Sequence, residues 1–384
     1  MRKLYLIIPI LIIIVCSCEE TISPFQAQNF IKFFGGGNGS GGASCVEVSG
    51  EGYILVGYDN NTQGKKQIYA VKTDLNGNIV WENWYSSDDS IQEGLLIKMV
   101  DSESFIMVGN SKSSSTSVSN PFIMKIDRYG DMVWKKNLNV NYSLFIHDFA
   151  ATDNSIFLVG ESFKNSTSLS DTYIAKIGLS GNIIDTVTKS AIRTELFKKV
   201  FVKDDGKILV IGNSNSIIGS NFNLVTFTEF HPSSITNPIN DAIFESQNDQ
   251  IFKDAIYANG QVSIMVYELL QGSWVTSIVK VNENLTLVWK TDPISQFEGK
   301  SMCMNEFGDV FIAGDNNSQI QFVKLSLEGD LYYGDEVFLK YPGTVGSLIN
   351  TQNNGLLMVG STPSVNDNMV QLIKTGADLY LLKP

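Results

Sequence analysis

The chain has 384 residues, 43% of them apolar, 11% aromatic and only 18% charged, a balance that supports a sizeable core and excludes disordered, collagen-like and coiled-coil classes. With 28 Lys and Arg against 40 Asp and Glu, the net charge is −12. Phosphate recognition needs clustered cations, so no nucleic-acid partner is expected.

Arg2 and Lys3 precede an apolar run from Leu4 to Val15, and Ser17 and Cys18 follow it. A positive start, a short apolar stretch and a small residue before the cut are the parts of a secretory signal, here residues 1–17. The run falls short of the roughly 20 residues that cross a bilayer as a helix, and Pro9 interrupts it. Val15-Cys16-Ser17-Cys18 resembles the bacterial lipobox. That resemblance implies that Cys18 is thioether-linked to diacylglycerol, is acylated on its new amino terminus and begins the mature chain; Cys16 lacks the small preceding residue. An ordinary cleaved signal with an incidental cysteine is the alternative. Each buried methylene of an acyl chain contributes roughly 0.8 kcal/mol, so several chains anchor firmly. Glu19-Glu20 resembles the acidic tag of surface-exposed Bacteroidetes lipoproteins, which implies an outer-membrane location and outward display. Residues 18–29 then form a lipidated tether, and residues 30–384 the folded domain. Cys45 and Cys303 sit inside apolar segments, where buried free thiols are expected rather than a disulfide.

The folded part is repetitive. Apolar stretches closed by glycine recur at Gly57, Gly109, Gly160 and Gly212, spaced 52, 51 and 52 residues apart, and again at Gly314 and Gly360. One degenerate copy, Val262 to Tyr267, fits the gap, which makes seven units. About a dozen residues after each glycine comes a second signature, clearest from Ile68 to Trp81 and repeated from Phe122 to Trp134, Tyr173 to Asp185, Ile278 to Trp289 and Phe322 to Tyr333. Alternating and β-branched residues broken by Asn-Gly, Tyr-Gly, Ser-Gly or Glu-Gly predict two strands joined by a tight turn. The first unit therefore reads as four strands, Ala43 to Val48, Tyr53 to Tyr58, Gln67 to Asp74 and Asn78 to Tyr85. Four-stranded antiparallel units repeated seven times at about 50 residues predict an all-β, seven-bladed β-propeller. The segment Phe30 to Gly36 looks like an outer strand, whereas the last unit stops soon after its third. Pairing of the N- and C-terminal segments should close the ring and cancel an exposed edge.

The stretch Gly52 to Gly57, then Tyr69 to Trp81, is similar to a repeat frequent in secreted and lipoprotein propellers of Bacteroidetes. Ala70 to Trp81 also resembles the docking motif of quinoprotein (PQQ-like) propellers, in which alanine, a glycine turn and tryptophan stack one blade on the next. That resemblance implies a propeller fold and says little about activity. A quinone cofactor would bring a calcium site and a vicinal disulfide, and the mature chain has no adjacent cysteines; no cofactor and no metal are expected.

Catalytic constellations are sparse. The two histidines, His147 and His231, are too few for a histidine-rich metal site, and no Gly-x-Ser-x-Gly elbow marks a serine nucleophile. His147 is expected to be structural. Asp74 to Asn78 lacks the EF-hand glutamate and reads as a hairpin turn. Carboxylates that could serve a glycosidase are Asp88, Asp89, Glu93, Glu161, Asp204, Asp205 and Asp315, all beside loop residues. Trp81, Trp134 and Trp289 occupy the repeat position and should pack between blades, whereas Trp84 and Trp274 fall off it and are candidate surface contacts, with core or edge packing as the alternative.

Connections between second and third strands are the long ones, rich in Ser, Asn and Thr, so one face of the ring should be variable and ligand-facing. Its candidate contacts are Asp59, Asn60 and Asn61 in the first unit, with Asn110 and Asn120 in the second and Glu161 and Asn165 in the third. Asn213, Asp315 and Asn366 occupy the later loops, and Trp84 and Trp274 join them. The expected function is that of a membrane-anchored, non-catalytic, monomeric binding module for a protein, peptide or glycan. The alternative is a surface enzyme acting on glycans through channel-facing carboxylates.

Overall fold

The computed structural model describes residues 29–376 and Leu379, apart from 37, 86–89, 114–117, 165–169, 190–194, 216–222, 245, 317–318, 333–336 and 364–367. Cys18, Asn165, Asn366, Asp88 and Asp89 therefore lie outside the described residues, as do the proposed signal and all but the last residue of the tether. The described residues form seven four-stranded antiparallel sheets, the blades of a β-propeller. Blades 1 to 6 span residues 40–85, 90–137, 143–189, 195–244, 250–290 and 298–342 in order. The seventh consists of Thr344–Asn350, Leu356–Pro363 and Asn368–Thr375, completed by Phe30–Phe34, which pairs antiparallel with Asn368–Thr375 from Phe30↔Lys374 to Phe34↔Val370. The two ends of the folded chain thus close the ring as the sequence predicts.

The repeat glycine has a backbone reason. Each innermost strand carries a register shift at the same place, which leaves one residue extra: Ala43, Leu95, His147, Lys198, Lys253, Lys300 or Gly346 in blades 1 to 7. The residue just before this bulge lies opposite the repeat glycine, as in Ile146↔Gly160 and Phe197↔Gly212. A side chain on Gly57, Gly160, Gly212 or Gly360 would collide with a carbonyl oxygen of the bulged strand. The glycine therefore marks a β-bulge. Blade 5 keeps its bulge with Val266 at this register.

Blades stack through their outer strands. Trp81, Trp134 and Trp289 sit opposite the repeat lysines Lys72, Lys125 and Lys280, and each ring lies against the turn glycine of the following blade, Gly130, Gly181 or Gly329. Trp81 Nε1 also donates to the Arg128 carbonyl at 3.2 Å, and Trp289 Nε1 to the Leu327 carbonyl at 3.1 Å. Phe30, opposite Lys374, lies on Gly77 and does the same at the closure. Gly77 has φ 75°, and Asp74 Oδ1 accepts from the Asn76 and Asn78 amides, so Asp74 to Asn78 is a hairpin turn. Between blades the core is aliphatic and aromatic, with Tyr53, Tyr69, Phe105, Phe122 and Phe157 fully buried. Cys45 and Cys303 are buried free thiols, and burial pushes the Cys45 thiol up to about 12.

Candidate functional site

The seven bulges ring the propeller axis. Each blade contributes its bulged residue and the next one to a central cavity of about 290 Å³, from Ala43 and Ser44 in blade 1 to Gly346 and Ser347 in blade 7. The bulge lies near the start of each inner strand. In an up-and-down blade that end shares a face with the connection between second and third strands, so the cavity sits toward the long-loop face.

The second residue of each pair ties neighbouring blades together. Its side chain accepts from a backbone amide of the next blade: Ser44 from Ile97 at 3.3 Å, Asp148 from Val200 at 3.1 Å, Asp254 from Met302 at 2.9 Å, Ser301 from Leu348 at 3.0 Å and Ser347 from Cys45 at 3.2 Å. The remaining two positions hold Leu96 and Lys199, which accept nothing. At those junctions a lysine of the earlier blade reaches the later blade's aspartate, Lys98 to Asp148 and Lys199 to Asp254, both at 2.6 Å. All seven junctions therefore carry a polar tie beside the axis, formed in a partly desolvated setting where an unpaired partner is costly.

The first residue of each pair faces the cavity and divides it. Blades 3 to 6 supply His147, Lys198, Lys253 and Lys300; blades 7, 1 and 2 supply Gly346, Ala43 and Leu95. One half of the ring offers nitrogen donors and the other is small or apolar. The lysines are held by carboxylates one layer out: Lys253 and Lys300 lie 2.6 and 2.8 Å from Glu298 Oε1. His147 Nε2 lies 2.8 Å from Glu161 Oε1 and 3.0 Å from Lys198 Nζ. Burial, reinforced by the Lys198 charge, depresses the His147 pKa despite Glu161, so the ring is neutral at pH 7. Burial alone would raise the Glu161 and Glu298 carboxyls. His147 and Lys198 outweigh it for Glu161, and Lys253 and Lys300 for Glu298, so both are held below the usual carboxylate range. Among the described residues no group of three or more His, Cys, Asp and Glu is arranged to hold a metal.

Of the loop-face candidates, Glu161 comes nearest to this cavity, against its lining residue His147. Asp59 is buried, accepting from Ser40 Oγ at 2.5 Å, the Gly36 amide at 3.2 Å and Trp84 Nε1 at 2.9 Å. Asn60 donates to the Asn38 carbonyl, Asn61 caps its own turn, and Asn120 accepts from the Val140 amide. Asn213 joins blades 4 and 5 by donating to the Gln250 carbonyl at 3.0 Å and accepting from the Phe252 amide at 2.8 Å. Asn110 and Asp315 lie opposite Glu93 and Glu298 at the loop-face ends of their strands. Trp84 and Trp274 remain partly exposed, the latter stacked on Tyr267 at 5.2 Å. Sequence reasoning passed over Lys198, Lys253, Lys300 and Glu298. The lysines have a positional signal: each of the bulge residues from His147 to Lys300 lies 13 or 14 residues before the repeat-glycine position.

No family model matches the chain, and no curated protein does. Solved structures match in shape. A catalytically inactive virginiamycin B lyase from Staphylococcus aureus with quinupristin superposes with a TM-score of 0.57 at 10% identity, over 90% of this chain and 99% of that one. Puromycin hydrolase gives 0.54 at 10% identity, over 84% of this chain and 50% of that one. The propeller domain of the Trilobed protease from Pyrococcus furiosus gives 0.52 at 12%, over 92% and 97%. What they share with this chain is the fold. That protease domain is described as an open velcro, whereas here Phe30–Phe34 closes the last blade.

Proposed function

We propose that the protein is a lipid-anchored, non-catalytic binding module that offers the long-loop mouth of its channel to a protein, peptide or glycan. The observation that carries this reading is topological. Phe30 pairs with Lys374, at the tight-turn end of the third strand, so the described chain begins on the face opposite the long loops. An acylated Cys18, tethered by residues 18–29, would hold the tight-turn face toward the bilayer and turn the channel mouth outward. Eleven residues between Cys18 and Phe30 reach at most about 40 Å, short enough to keep that orientation.

The cavity's chemistry supports a ligand that sets carbonyl or hydroxyl oxygens against Lys198, Lys253 and Lys300 and an apolar edge against Ala43 and Leu95. A hydrogen bond to a charged donor contributes about 1.5–3 kcal/mol, so Lys198→Ala should weaken binding roughly tenfold or more. The glycan-hydrolase alternative would draw on Glu161 and Glu298. That chemistry needs one carboxylic acid kept protonated near neutrality, and both carboxyls are held below the usual range, Glu161 by the His147 hydrogen bond and Lys198, and Glu298 by Lys253 and Lys300. Binding is therefore the better-supported reading.

Glycan and peptide arrays probed with the protein test it. Ligands recovered by the wild type should be lost with Lys198→Ala and with Lys300→Ala. Turnover of an arrayed glycan by the wild type would instead favour the enzyme. The anchor is tested separately by mass spectrometry of the mature amino terminus, which should be acylated Cys18, and by Cys18→Ala, which should release the protein from membranes.

A further inference from the structure

Between blades 3 and 4 the junction departs from the pattern of blades 1, 2 and 5, and a second cavity lies there. Opposite Lys176, where blades 1, 2 and 5 place tryptophan, blade 3 has Asp185. Two further positions lose their hydrogen-bonding groups relative to blade 1. In blade 1, Asn83 Nδ2 and the Tyr85 hydroxyl both donate to the Gly130 carbonyl of the next blade, at 3.0 and 2.6 Å. At the same registers blade 3 has Val187 and Lys189. Blade 4 contributes no turn glycine to receive a ring, since His231-Pro232-Ser233 replaces it. At this junction, between blades 3 and 4, lies a cavity of about 810 Å³, lined from blade 3 by Val187 and Lys189. Blade 4 also lacks the tryptophan, at Asn240, but there Phe244 packs into the cluster shared with blade 5.

Its lining has the composition of a small-molecule site rather than of a wet crevice. Ile174, Val187, Phe197 and Phe230 give an apolar floor, and threonines such as Thr188 and Thr228 place hydroxyls along the walls. Its charged groups are Glu195, Asp241 and Lys189, an excess of one negative charge that disfavours anions. We propose that this inter-blade cavity is a second binding site, separate from the channel, for an uncharged amphipathic molecule with an apolar ring body and hydroxyl or amide groups. Its volume lies within the roughly 300–1,000 Å³ of ligand pockets.

The test is a fluorescence titration of the full chain with Nile red, an uncharged apolar-ring probe. Saturable binding of one dye per chain is expected, and binding of the anionic dye anilinonaphthalene sulfonate should be at least tenfold weaker. Val187→Trp fills the cavity from blade 3 and Thr228→Phe narrows it from blade 4, so each should lower Nile red affinity at least tenfold. Val133→Trp, at an exposed position of blade 2, should leave it unchanged. Circular dichroism identifies any variant that fails to fold, and the two cavity variants approach from different blades, so one suffices. Absence of saturable binding, showing a cavity filled by water only, would overturn the proposal. Undiminished affinity in a folded cavity variant would overturn it too.

Discussion

Asp254 is the most heavily used of the axial ties, and its replacement separates two contributions. Its carboxylate accepts from Lys199 Nζ at 2.6 Å, from the Met302 and Ala255 amides at 2.9 Å each and from Ser301 Oγ at 3.3 Å. Three other blades hold the same junction with serine, so Asp254→Ser should keep the Met302 amide satisfied. What serine cannot do is neutralise Lys199, whose side chain is 27% exposed. Burial would lower the Lys199 pKa, but Asp254 and Asp148 outweigh it and hold it above the ordinary range. Breaking a buried ion pair by removing one partner costs about 3–5 kcal/mol; with partial exposure, about 2–4 kcal/mol is expected here. Deleting the charge as well should recover most of it, so in a Lys199→Met background Asp254→Ser should cost less than about 1 kcal/mol. Urea unfolding followed by tryptophan fluorescence measures all four corners of this cycle. Equal cost of Asp254→Ser in both backgrounds would refute the claim that the lysine at this junction substitutes for the missing acceptor of blade 4.

Lys374, 1% exposed beneath the closing strand, has its pKa pushed down to about 8 by burial. A lysine that is harder to protonate in the fold than unfolded destabilises below the folded value, and the penalty fades as pH rises from about 8 toward 10.5. Lys374→Met should accordingly raise stability by about 1–3 kcal/mol at pH 7 and by less at pH 10, read from urea midpoints. His147 follows the same sign: its depressed pKa makes stability fall as pH drops below 6.5, and His147→Gln should flatten that part of the pH profile. Trp134→Ala removes the ring that covers Gly181 and should cost about 2–3 kcal/mol, visible as a lower melting temperature in calorimetry.

The fold was legible because its constraints repeat. The glycine that closes each second strand is forced by a backbone bulge, the turn glycine by a positive φ, and the tryptophan by stacking of blade on blade. Each leaves the same mark about every 50 residues. Even the unusual closure could be read, since Phe30 to Gly36 looked like a fourth strand without its blade. The channel was harder to see because its residues obey the repeat in position but not in type. His147, Lys198, Lys253 and Lys300 share one register with Ala43, Leu95 and Gly346, and nothing in side-chain chemistry unites them. His147, expected to be structural, is a cavity-facing group paired with Glu161. Loop composition hides a second role. Asp59, Asn120 and Asn213 look solvated in sequence, yet they satisfy backbone amides or side chains of their own and neighbouring blades, as polar residues at strand ends commonly do. The junction of blades 3 and 4 has a sequence mark, Asp185 in place of tryptophan, whose meaning emerges once Val187 and Lys189 are seen to line the cavity beside it.

The most direct measurement places the two faces of the ring relative to a bilayer. Cysteine introduced at Tyr129, on the tight-turn face, or at Asn60, on the long-loop face, can be labelled selectively because Cys45 and Cys303 are buried. With the acylated protein in phosphatidylcholine vesicles, a fluorophore at Tyr129→Cys should be quenched by nitroxide-labelled lipid and one at Asn60→Cys should not. An array ligand should still bind such vesicles from outside. Quenching at Asn60→Cys with none at Tyr129→Cys would contradict a propeller held by its tight-turn face with its channel mouth presented outward.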